Sequence, residues 1–193
     1  MSAAPPGPRW CVCVFCSSSV SIDSAYIDLA DQVGAAIAAR GWDLVTGGGR
    51  VSMMGAVARA VRRGGGRTTG VIPNALTGYE VADDAADDLL VVEDMRRRKA
   101  EMDVRADAFL ALPGGIGTLE ELLEVWTSRA LGMHAKPVVV LDPAGVFATL
   151  QHLVGELAQS GFVRASGLAA IAWTSTVGDA LDACAPPPTI SPC

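Results

Sequence analysis

An apolar run, a glycine-rich turn and an amphipathic stretch follow one another near the middle of this chain. Residues 107–112 are predominantly apolar and predict a buried strand, and the apolar spacing within residues 119–131 predicts a helix. Between them lie Gly114, Gly115 and Gly117, which let the backbone adopt positive φ and approach a ligand closely. A strand that turns directly into a helix is typical of an α/β sheet, so this stretch constrains the fold class.

The same turn is expected to bind an anion. Thr118 is a suitable N-cap for the helix, and the N–H groups of the first helical turn would face whatever lies above it. Phosphate is the usual anion at such a helix start. Glu120 and Glu121 follow in what we predict to be the first turn, and acids beside a phosphate cradle suggest chemistry on a phosphorylated substrate.

A purely structural interpretation of these acids stands beside the catalytic one. The spacing from Thr118 to Glu121 fits a capping box, in which the glutamate only returns a hydrogen bond to the cap. Acids in a first turn also stabilise any helix through its dipole. The three glycines favour a functional turn, because glycine costs stability where the backbone does not need it.

Length, composition and charge narrow the class of protein. The chain has 193 residues, of which 50% are hydrophobic and 19% charged, and its net charge is −6. We therefore expect one domain over residues 9–184, with flexible Pro-rich ends at residues 1–8 and 185–193. The charge argues against nucleic-acid and membrane-surface partners, no apolar run could span a bilayer, and no signal peptide is recognisable, so a cytoplasmic location is expected.

Neither a metal nor an organic cofactor is expected. Cys11 and Cys13 alternate with valines and are predicted to share one face of a strand, where buried cysteine behaves as a small hydrophobic residue. The two histidines, His134 and His152, have no second candidate ligand nearby in sequence. A structural metal is therefore not predicted.

Strands and helices are predicted to alternate through most of the chain. This alternation implies a mostly parallel sheet with helices on both faces in a single domain, with the ligand near the carboxyl ends of the strands. Strands are predicted at residues 10–15, 43–46, 69–72, 89–92, 107–112, 137–141 and 168–173, and helices at 23–40, 53–63, 95–106, 119–131, 146–160 and 177–184.

A second glycine run follows the strand predicted at residues 43–46. Gly47, Gly48 and Gly49 would lie at the same edge of the sheet as the turn after residue 112. Neither run matches the phosphate-binding pattern that ends in Gly-Lys-Ser/Thr, nor the dinucleotide fingerprint. Two glycine turns at one edge indicate a mononucleotide held between them.

The predicted helix over residues 95–106 carries a basic run. Met95, Met102 and Ala106 recur at helical spacing and predict its packed stripe, with Arg98 and Lys99 on either side of that stripe.

The remaining arginines of this run, Arg96 and Arg97, are expected to face solvent, which is the common fate of a basic helix face. An arginine at the rim of a core needs an anionic partner. For Arg98 that partner would be a substrate phosphate or Glu121, and the sequence leaves both open.

The chain resembles the LONELY GUY family in these motifs and in several others. The resemblance spans nearly the whole chain and rests on several motifs at the family's spacing. These motifs are Gly47-Gly-Gly-x-x-x-Met-Met-Gly55, Gly70-Val-Ile-Pro73, Met95-x-x-Arg-Lys-Ala100, Pro113-Gly-Gly-x-Gly-Thr-x-Glu-Glu121 and Leu131-Gly-Met-His-Ala-Lys-Pro137.

The resemblance implies a Rossmann-like homodimer that hydrolyses the N-glycosidic bond of cytokinin riboside 5′-monophosphates, releasing the free base and ribose 5-phosphate without a cofactor. It implies catalytic roles for Arg98 and Glu121. Together with the glycine turns, it gives a set of substrate-binding candidates: Gly47, Gly48, Gly49, Glu80, Met95, Arg98, Lys99, Gly114, Gly115, Ile116, Gly117, Thr118, Leu119, Glu120, Glu121 and Thr127.

Departures from the family pattern put rate and base preference in question. A serine, Ser17, follows Cys16 where glycine is usual, Thr46 replaces an aromatic residue, and Ser52 replaces a glycine. The pairs Arg96-Arg97 and Ser128-Arg129 also differ from the usual residues.

Two other functions compete with hydrolysis. A nucleotide carrier or sensor and a phosphate-binding transferase could both use this fold and these turns. The family motif has also carried a lysine decarboxylase label, but no lysine lies in a recognisable pyridoxal phosphate site.

The helix predicted at residues 119–131 is apolar on more than one side, which adds support for a homodimer. One side can pack on the sheet, and a twofold interface is the commonest way to bury another. The alternative is a central helix buried within the monomer. The apolar residues are Leu122, Leu123, Val125, Trp126 and Ala130.

Overall fold

A computed structural model describes residues 9–77 and 81–187. They form a single domain in which a seven-stranded sheet is parallel throughout and carries helices on both faces. The Rossmann-like fold class is thereby confirmed, with a sheet that is wholly rather than mostly parallel. The predicted arm, the end of the predicted tail from residue 188 onward, and Glu80 lie outside the described residues.

The elements follow the predicted alternation, with one additional short helix and one 3₁₀ turn at Asn74–Leu76. The strands are β1 Cys11–Phe15, β2 Asp43–Thr46, β3 Thr68–Pro73, β4 Asp88–Val92, β5 Ala108–Ala111, β6 Val138–Leu141 and β7 Ala172–Thr174. The helices are α1 Ser24–Ala39, α2 Ser52–Arg63, α3 Met95–Arg105, α4 Ile116–Ala130, α5 Ala148–Gln159, α6 Ala165–Leu168 and α7 Val177–Ala183.

Strand β1 is the centre of the sheet and the point where the strand order reverses. The order is β4-β3-β2-β1-β5-β6-β7, so the chain moves outward on one side of β1 and then returns to build the other side. The connections that follow β1 and β5 start at the same edge of the sheet and lead to the two sides of this switch point. Ligands of doubly wound sheets bind there, outside the carboxyl ends of the strands.

The two faces of β1 feed two separate cores. Val12 and Val14 pack with α1, α2 and α7, whereas Cys13 and Phe15 pack with α3 and α4. Cys11 packs against the same core as Cys13, which confirms the predicted face of both cysteines. Strong burial on both faces explains the continuous apolar character of the central strands.

The last strand was predicted too long. Leu168 belongs to the short helix α6, and β7 begins only at Ala172. An apolar run of this length does not distinguish a strand from a buried helical turn followed by a strand. Helix α5 is also shorter than predicted, because Asp142 accepts hydrogen bonds from the N–H groups of Val146 (2.8 Å) and Phe147 (2.6 Å) and holds them in the preceding turn.

The start of α4 differs from the prediction in two ways. The N-cap is Gly115, which makes no side-chain capping bond, and Thr118 lies inside the helix. The capping box between Thr118 and Glu121 is therefore absent, and both acids lie beyond the first turn. The helix begins earlier because Ile116 and Gly117 already have helical backbone. The positive φ expected at Gly114, Gly115 and Gly117 is not found.

None of the helices in the described ranges has the length and apolar composition that a membrane crossing requires.

Candidate active site

A cavity of about 200 Å³ opens at the switch point of the sheet. Its walls come from the loop after β1, the first turn of α2, helix α3 and the start of α4. We call it the Arg98 cavity. Its lining residues are Cys16, Ser17, Ser18, Ser19, Met54, Met95, Arg98, Gly115, Gly117, Thr118 and Glu121.

Arg98 is a buried cation in this wall, with only 4% of its surface exposed. Its Nη2 donates a hydrogen bond to the carbonyl of Gly47 at 3.0 Å, and its Nη1 lies 3.7 Å from the sulfur of Met95. The prediction that this arginine lies on the packed side of α3 is confirmed, and Arg96 and Arg97 are exposed as predicted. Burying a guanidinium this deeply costs free energy unless its charge is paired and hydrogen-bonded.

Glu121 is the buried acid of the same cavity, with 9% of its surface exposed. It lies in the second turn of α4, so its position does not serve to cap the helix. Helix α4 therefore presents a carboxylate to the cavity that Arg98 also lines. The structural interpretation of Glu121 as a capping residue is wrong, and the functional one remains.

The glycines of the second turn have different roles. A Cβ at Gly114 would lie 2.1 Å from the hydroxyl oxygen of Thr118, so this glycine is required by packing within the chain. A Cβ at Gly115 or Gly117 would meet no atom within 4 Å. These two positions border open space in the cavity, where a Cβ would take room from a ligand.

The first glycine turn contacts two residues that line the cavity, Arg98 and Met54. Gly48 has a positive φ of 80°, and its N–H donates to the hydroxyl of Thr46 at 3.2 Å. The N–H of Gly49 contacts the sulfur of Met54 at 3.0 Å, and Met54 lines the cavity. Residues 47–49 are not part of the lining, and this turn contacts the cavity wall through Arg98 and Met54. Direct substrate contacts from Gly47, Gly48 and Gly49 stay a prediction.

Met95 was predicted to be part of the packed stripe of α3, and this is wrong. Its surface is 41% exposed, whereas Met102, one heptad later, is buried as predicted. Met95 instead lines the Arg98 cavity, because it begins α3 at the edge of the sheet. Its predicted place among the substrate-binding residues agrees with this position.

A second cavity of about 210 Å³ lies between α3 and α4, and Glu121 borders both cavities. Lys99 lines the second one and forms ion pairs with Glu120 and Glu124 of α4. Partial burial lowers the pKa of Lys99, but the hydrogen bonds to these two carboxylates outweigh it and leave the pKa above its ordinary value. Lys99 is thus held in its charged form beside Glu121.

Three other predicted site residues lie elsewhere. Thr127 is exposed on α4 and lines an apolar surface depression between α4, α5 and α6 rather than either cavity. Ile116 is 87% exposed at the helix start. Leu119 is half-buried and packs against the core between the sheet and α4.

The sequence predictions missed the serine loop (residues 17–19). It contributes three residues to the Arg98 cavity directly after the carboxyl end of β1. The only signal in the sequence was its place after the first predicted strand, since serine-rich loops are common. No cluster of three or more metal-binding side chains occurs within residues 9–77 and 81–187.

A parallel sheet with a glycine-rich helix start and a buried arginine and glutamate at its switch point defines a Rossmann-like domain with a candidate anion-binding site. The chain belongs to the family whose sequence model, described as "possible lysine decarboxylase", matches residues 54–184.

Curated relatives are similar along most of the chain. A cytokinin riboside 5′-monophosphate phosphoribohydrolase of Mycobacterium marinum is 52% identical and covers 94% of this chain and 96% of its own. The Mycobacterium tuberculosis protein of the same name is 49% identical, covering 92% and 94%. A third, from Arabidopsis thaliana, is 43% identical and covers 79% of this chain and 71% of its own. The resemblance to the LONELY GUY family is confirmed.

Solved structures share the fold at lower identity. A molybdenum cofactor binding protein from Rippkaea orientalis superposes with a TM-score of 0.68 at 22% identity, covering 93% of this chain and 96% of its own. The molybdenum cofactor carrier protein of Chlamydomonas reinhardtii gives 0.69 at 22% identity, covering 91% and 95%. At this identity the likeness concerns the fold alone.

Proposed function

We propose that this protein hydrolyses the N-glycosidic bond of cytokinin riboside 5′-monophosphates, that is, of AMP with an N6 substituent and of AMP itself. The products are the free base and ribose 5-phosphate. The observation that carries the proposal is the presence of buried Arg98 and buried Glu121 in one cavity beside the open glycines of α4. Relatives at about half identity bear the corresponding enzyme name.

The substrate phosphate would bind at the start of α4. The N–H groups there have no side-chain cap, and the backbone at Gly115 and Gly117 is open to the cavity. The positive end of the helix dipole favours an anion at this place. The ribose would then lie towards Glu121, which is one and a half helical turns further along α4.

Cleavage of the bond to N9 leaves positive charge on C1′ of the ribose and negative charge on the base. The carboxylate of Glu121 would stabilise the cationic sugar and accept a proton from the attacking water, as in glycoside hydrolysis. The oxygen of that water joins C1′, and the base departs and takes up a proton. Arg98 would hold the phosphate or the acid in place while its other contact, to Gly47, fixes the guanidinium.

The family description as a possible lysine decarboxylase receives no support from the two lysines of the chain. A Schiff base with pyridoxal phosphate requires a neutral amine, which a lowered pKa provides. Lys99 is paired with two carboxylates and its pKa is raised. Lys136 donates to the carboxylate of Asp103 at 2.8 Å. The amine of Lys99 is therefore held in the charged form, and that of Lys136 is engaged in an ion pair with Asp103.

We further propose that the protein acts as a homodimer through the α4–α5–α6 surface. This surface leaves large apolar side chains around Thr127 only partly covered within one chain. Since Thr127 faces this surface and not the Arg98 cavity, its expected substrate contact would be made in the site of a second copy. The exposed side chains are Leu123, Leu131, Leu157 and Phe162, with 42, 66, 36 and 79% of their surfaces accessible.

A cytoplasmic location is proposed from the cysteines. Within the described residues Cys11, Cys13, Cys16 and Cys184 form no disulfide, which agrees with a reducing compartment. Cell fractionation with an antibody against the protein tests this directly.

A product assay tests the reaction. Purified protein is incubated with N6-isopentenyl-AMP, AMP and adenosine, and free base and ribose 5-phosphate are quantified by chromatography. Release of base from the monophosphates supports the proposal. Tight binding without base release would favour the carrier alternative, and transfer of the phosphoribosyl group to an added acceptor would favour the transferase.

A further inference from the structure

Ser52 has an unusual backbone conformation at a functionally important position. It is the first residue of α2, separated from the first glycine turn by Arg50 and Val51, and its φ is +54°. A non-glycine residue in this region carries a conformational cost, and such residues concentrate at sites where function requires them. The family resemblance places a glycine here, which would adopt this φ without that cost.

The side chain of Ser52 makes a contact that glycine could not make. Its hydroxyl donates a hydrogen bond of 2.5 Å to the carbonyl of Ser19, across 33 positions of the chain. The contact joins the start of α2 to the serine loop. Ser19 lines the Arg98 cavity, and so does Met54, which follows Ser52 in the same turn of α2. The bond therefore connects two segments of the cavity wall, although Ser52 itself does not line the cavity.

The serine loop has few other ties to the rest of the protein. Its internal hydrogen bonds are local: the N–H of Ser19 donates to the hydroxyl of Ser17 at 3.1 Å, and the N–H of Ser21 donates to the hydroxyl of Ser19 at 3.4 Å. These bonds shape the loop but do not fix its place over the sheet. Val20, next to it, is 77% exposed and contributes little packing.

The loop borders the part of the cavity where an anion would bind. Ser17, Ser18 and Ser19 line it together with Gly115 and Gly117 of the α4 start. Serine hydroxyls and loop N–H groups are suitable donors for a phosphate. The 5′-phosphate in our proposed function would therefore lie between the α4 start and the serine loop.

We propose that Ser52 is a positioning residue that holds the serine loop in place as a wall of the phosphate subsite. This inference rests on the proposed function for the identity of the ligand. The hydroxyl contributes to phosphate affinity through the loop, while the conformational strain at residue 52 costs stability. Substitution by glycine should therefore lower phosphate affinity without lowering stability. Loss of a merely structural residue would lower both together.

Two variants test the role. Ser52→Gly removes the hydroxyl and the strain, and Ser52→Ala removes the hydroxyl but keeps the strain. We expect the dissociation constant for ribose 5-phosphate, measured by calorimetry, to rise roughly threefold to tenfold in both, the range expected for one lost hydrogen bond. The melting temperature should hold or rise in Ser52→Gly and fall in Ser52→Ala. KM for AMP should follow the dissociation constant, with kcat little changed.

Ser160→Ala, at the C-cap of α5, serves as the matched control and should leave the dissociation constant unchanged, because Ser160 is exposed and lines neither the Arg98 cavity nor the depression between α4, α5 and α6. Unchanged affinity in both Ser52 variants would overturn the proposal, as would wild-type protein that does not bind ribose 5-phosphate. A melting temperature that falls together with affinity in Ser52→Gly would mean a structural role only. Wild-type protein that binds ribose 5-phosphate but cleaves no nucleotide would refute the proposed reaction while the affinity comparison still judges Ser52.

Discussion

The guanidinium of Arg98 packs directly on the backbone of Gly47. Its Nη2 lies 3.0 Å from the carbonyl oxygen of Gly47, and a Cβ on that glycine would stand 1.7 Å from the same nitrogen. The first glycine turn thus serves the site by making room for a buried cation. A residue with any side chain at position 47 must displace Arg98.

Gly47→Ala is therefore expected to abolish most activity. The clash pushes the guanidinium out of the cavity wall and leaves the Gly47 carbonyl without its donor, which costs about 1–3 kcal/mol of folding stability for the buried acceptor. Turnover of AMP and the urea midpoint should fall together. Gly155→Ala on α5 is the control, because a Cβ there would meet no atom within 4 Å. Gly132 has equally open surroundings, but its φ of +75° would strain an alanine.

Gly117→Ala should separate stability from binding. Gly117 lies inside α4 and a Cβ there meets nothing in the chain, so alanine should raise helix stability by about 0.5–1 kcal/mol. If a phosphate lies against this backbone, the new methyl group should weaken AMP binding at least several-fold. A variant that melts higher and binds AMP as well as wild type would show that the ligand does not approach α4 here.

Glu121→Gln should abolish base release while nucleotide binding remains. Glutamine keeps the shape of the buried side chain but can neither stabilise the cationic sugar nor accept a proton from water. Glu156→Gln on α5 is the control, since Glu156 is exposed and lines neither the Arg98 cavity nor the second cavity. Near-normal turnover of the Glu121 variant in a product assay would exclude it as the catalytic acid–base group.

Alkaline pH should destabilise the fold through two buried thiols. Burial raises the pKa of Cys11 to about 12, with Asp107 and Asp43 adding to the shift, and burial raises that of Cys184 to about 12 against the opposing charge of Arg40. Both groups keep their protons in the folded state and lose them near pH 9 when unfolded. Their contribution is complete below pH 9 and is lost as pH rises towards 12.

Urea unfolding at pH 7, 9 and 10.5 measures this effect. The free energy of unfolding should fall across the series, and the fall should be smaller in the double variant Cys11→Ala, Cys184→Ala. Burial also raises the pKa of Cys13, which the double variant retains. Equal slopes in wild type and variant would therefore show that other groups, such as Cys13 and Lys99, account for the alkaline loss.

The sequence predicted the fold well because its signals are local. The alternation of strands and helices, the glycine turns and the burial of Arg98 beside exposed Arg96 and Arg97 all follow from spacing along one element. The predicted start of α4 was wrong because Thr118 is a good capping residue by type, whereas the helix begins two residues before Thr118, at Ile116.

Contacts between distant segments could not be predicted in this way. The hydrogen bond from Ser52 to Ser19 and the packing of Arg98 on Gly47 join residues 33 and 51 positions apart. Helical periodicity places Thr127 roughly 120° around α4 from Glu121. Periodicity does not reveal the depression that Thr127 lines, because α5 and α6 form its other walls.

A homodimer that shares its sites should show complementation between two inactive variants. Phe162→Glu places a charge in the centre of the exposed apolar surface and should shift the mass in light scattering from dimer to monomer. Thr127→Arg should impair the site of the neighbouring copy, whereas Glu121→Gln impairs the site of its own chain. When these two variants are unfolded together and refolded, hybrid dimers would carry one intact site each, restoring roughly a quarter of wild-type activity if the chains pair at random. A monomeric wild-type protein with full activity, or mixtures that stay inactive although hybrid dimers form, would contradict a site built from two copies.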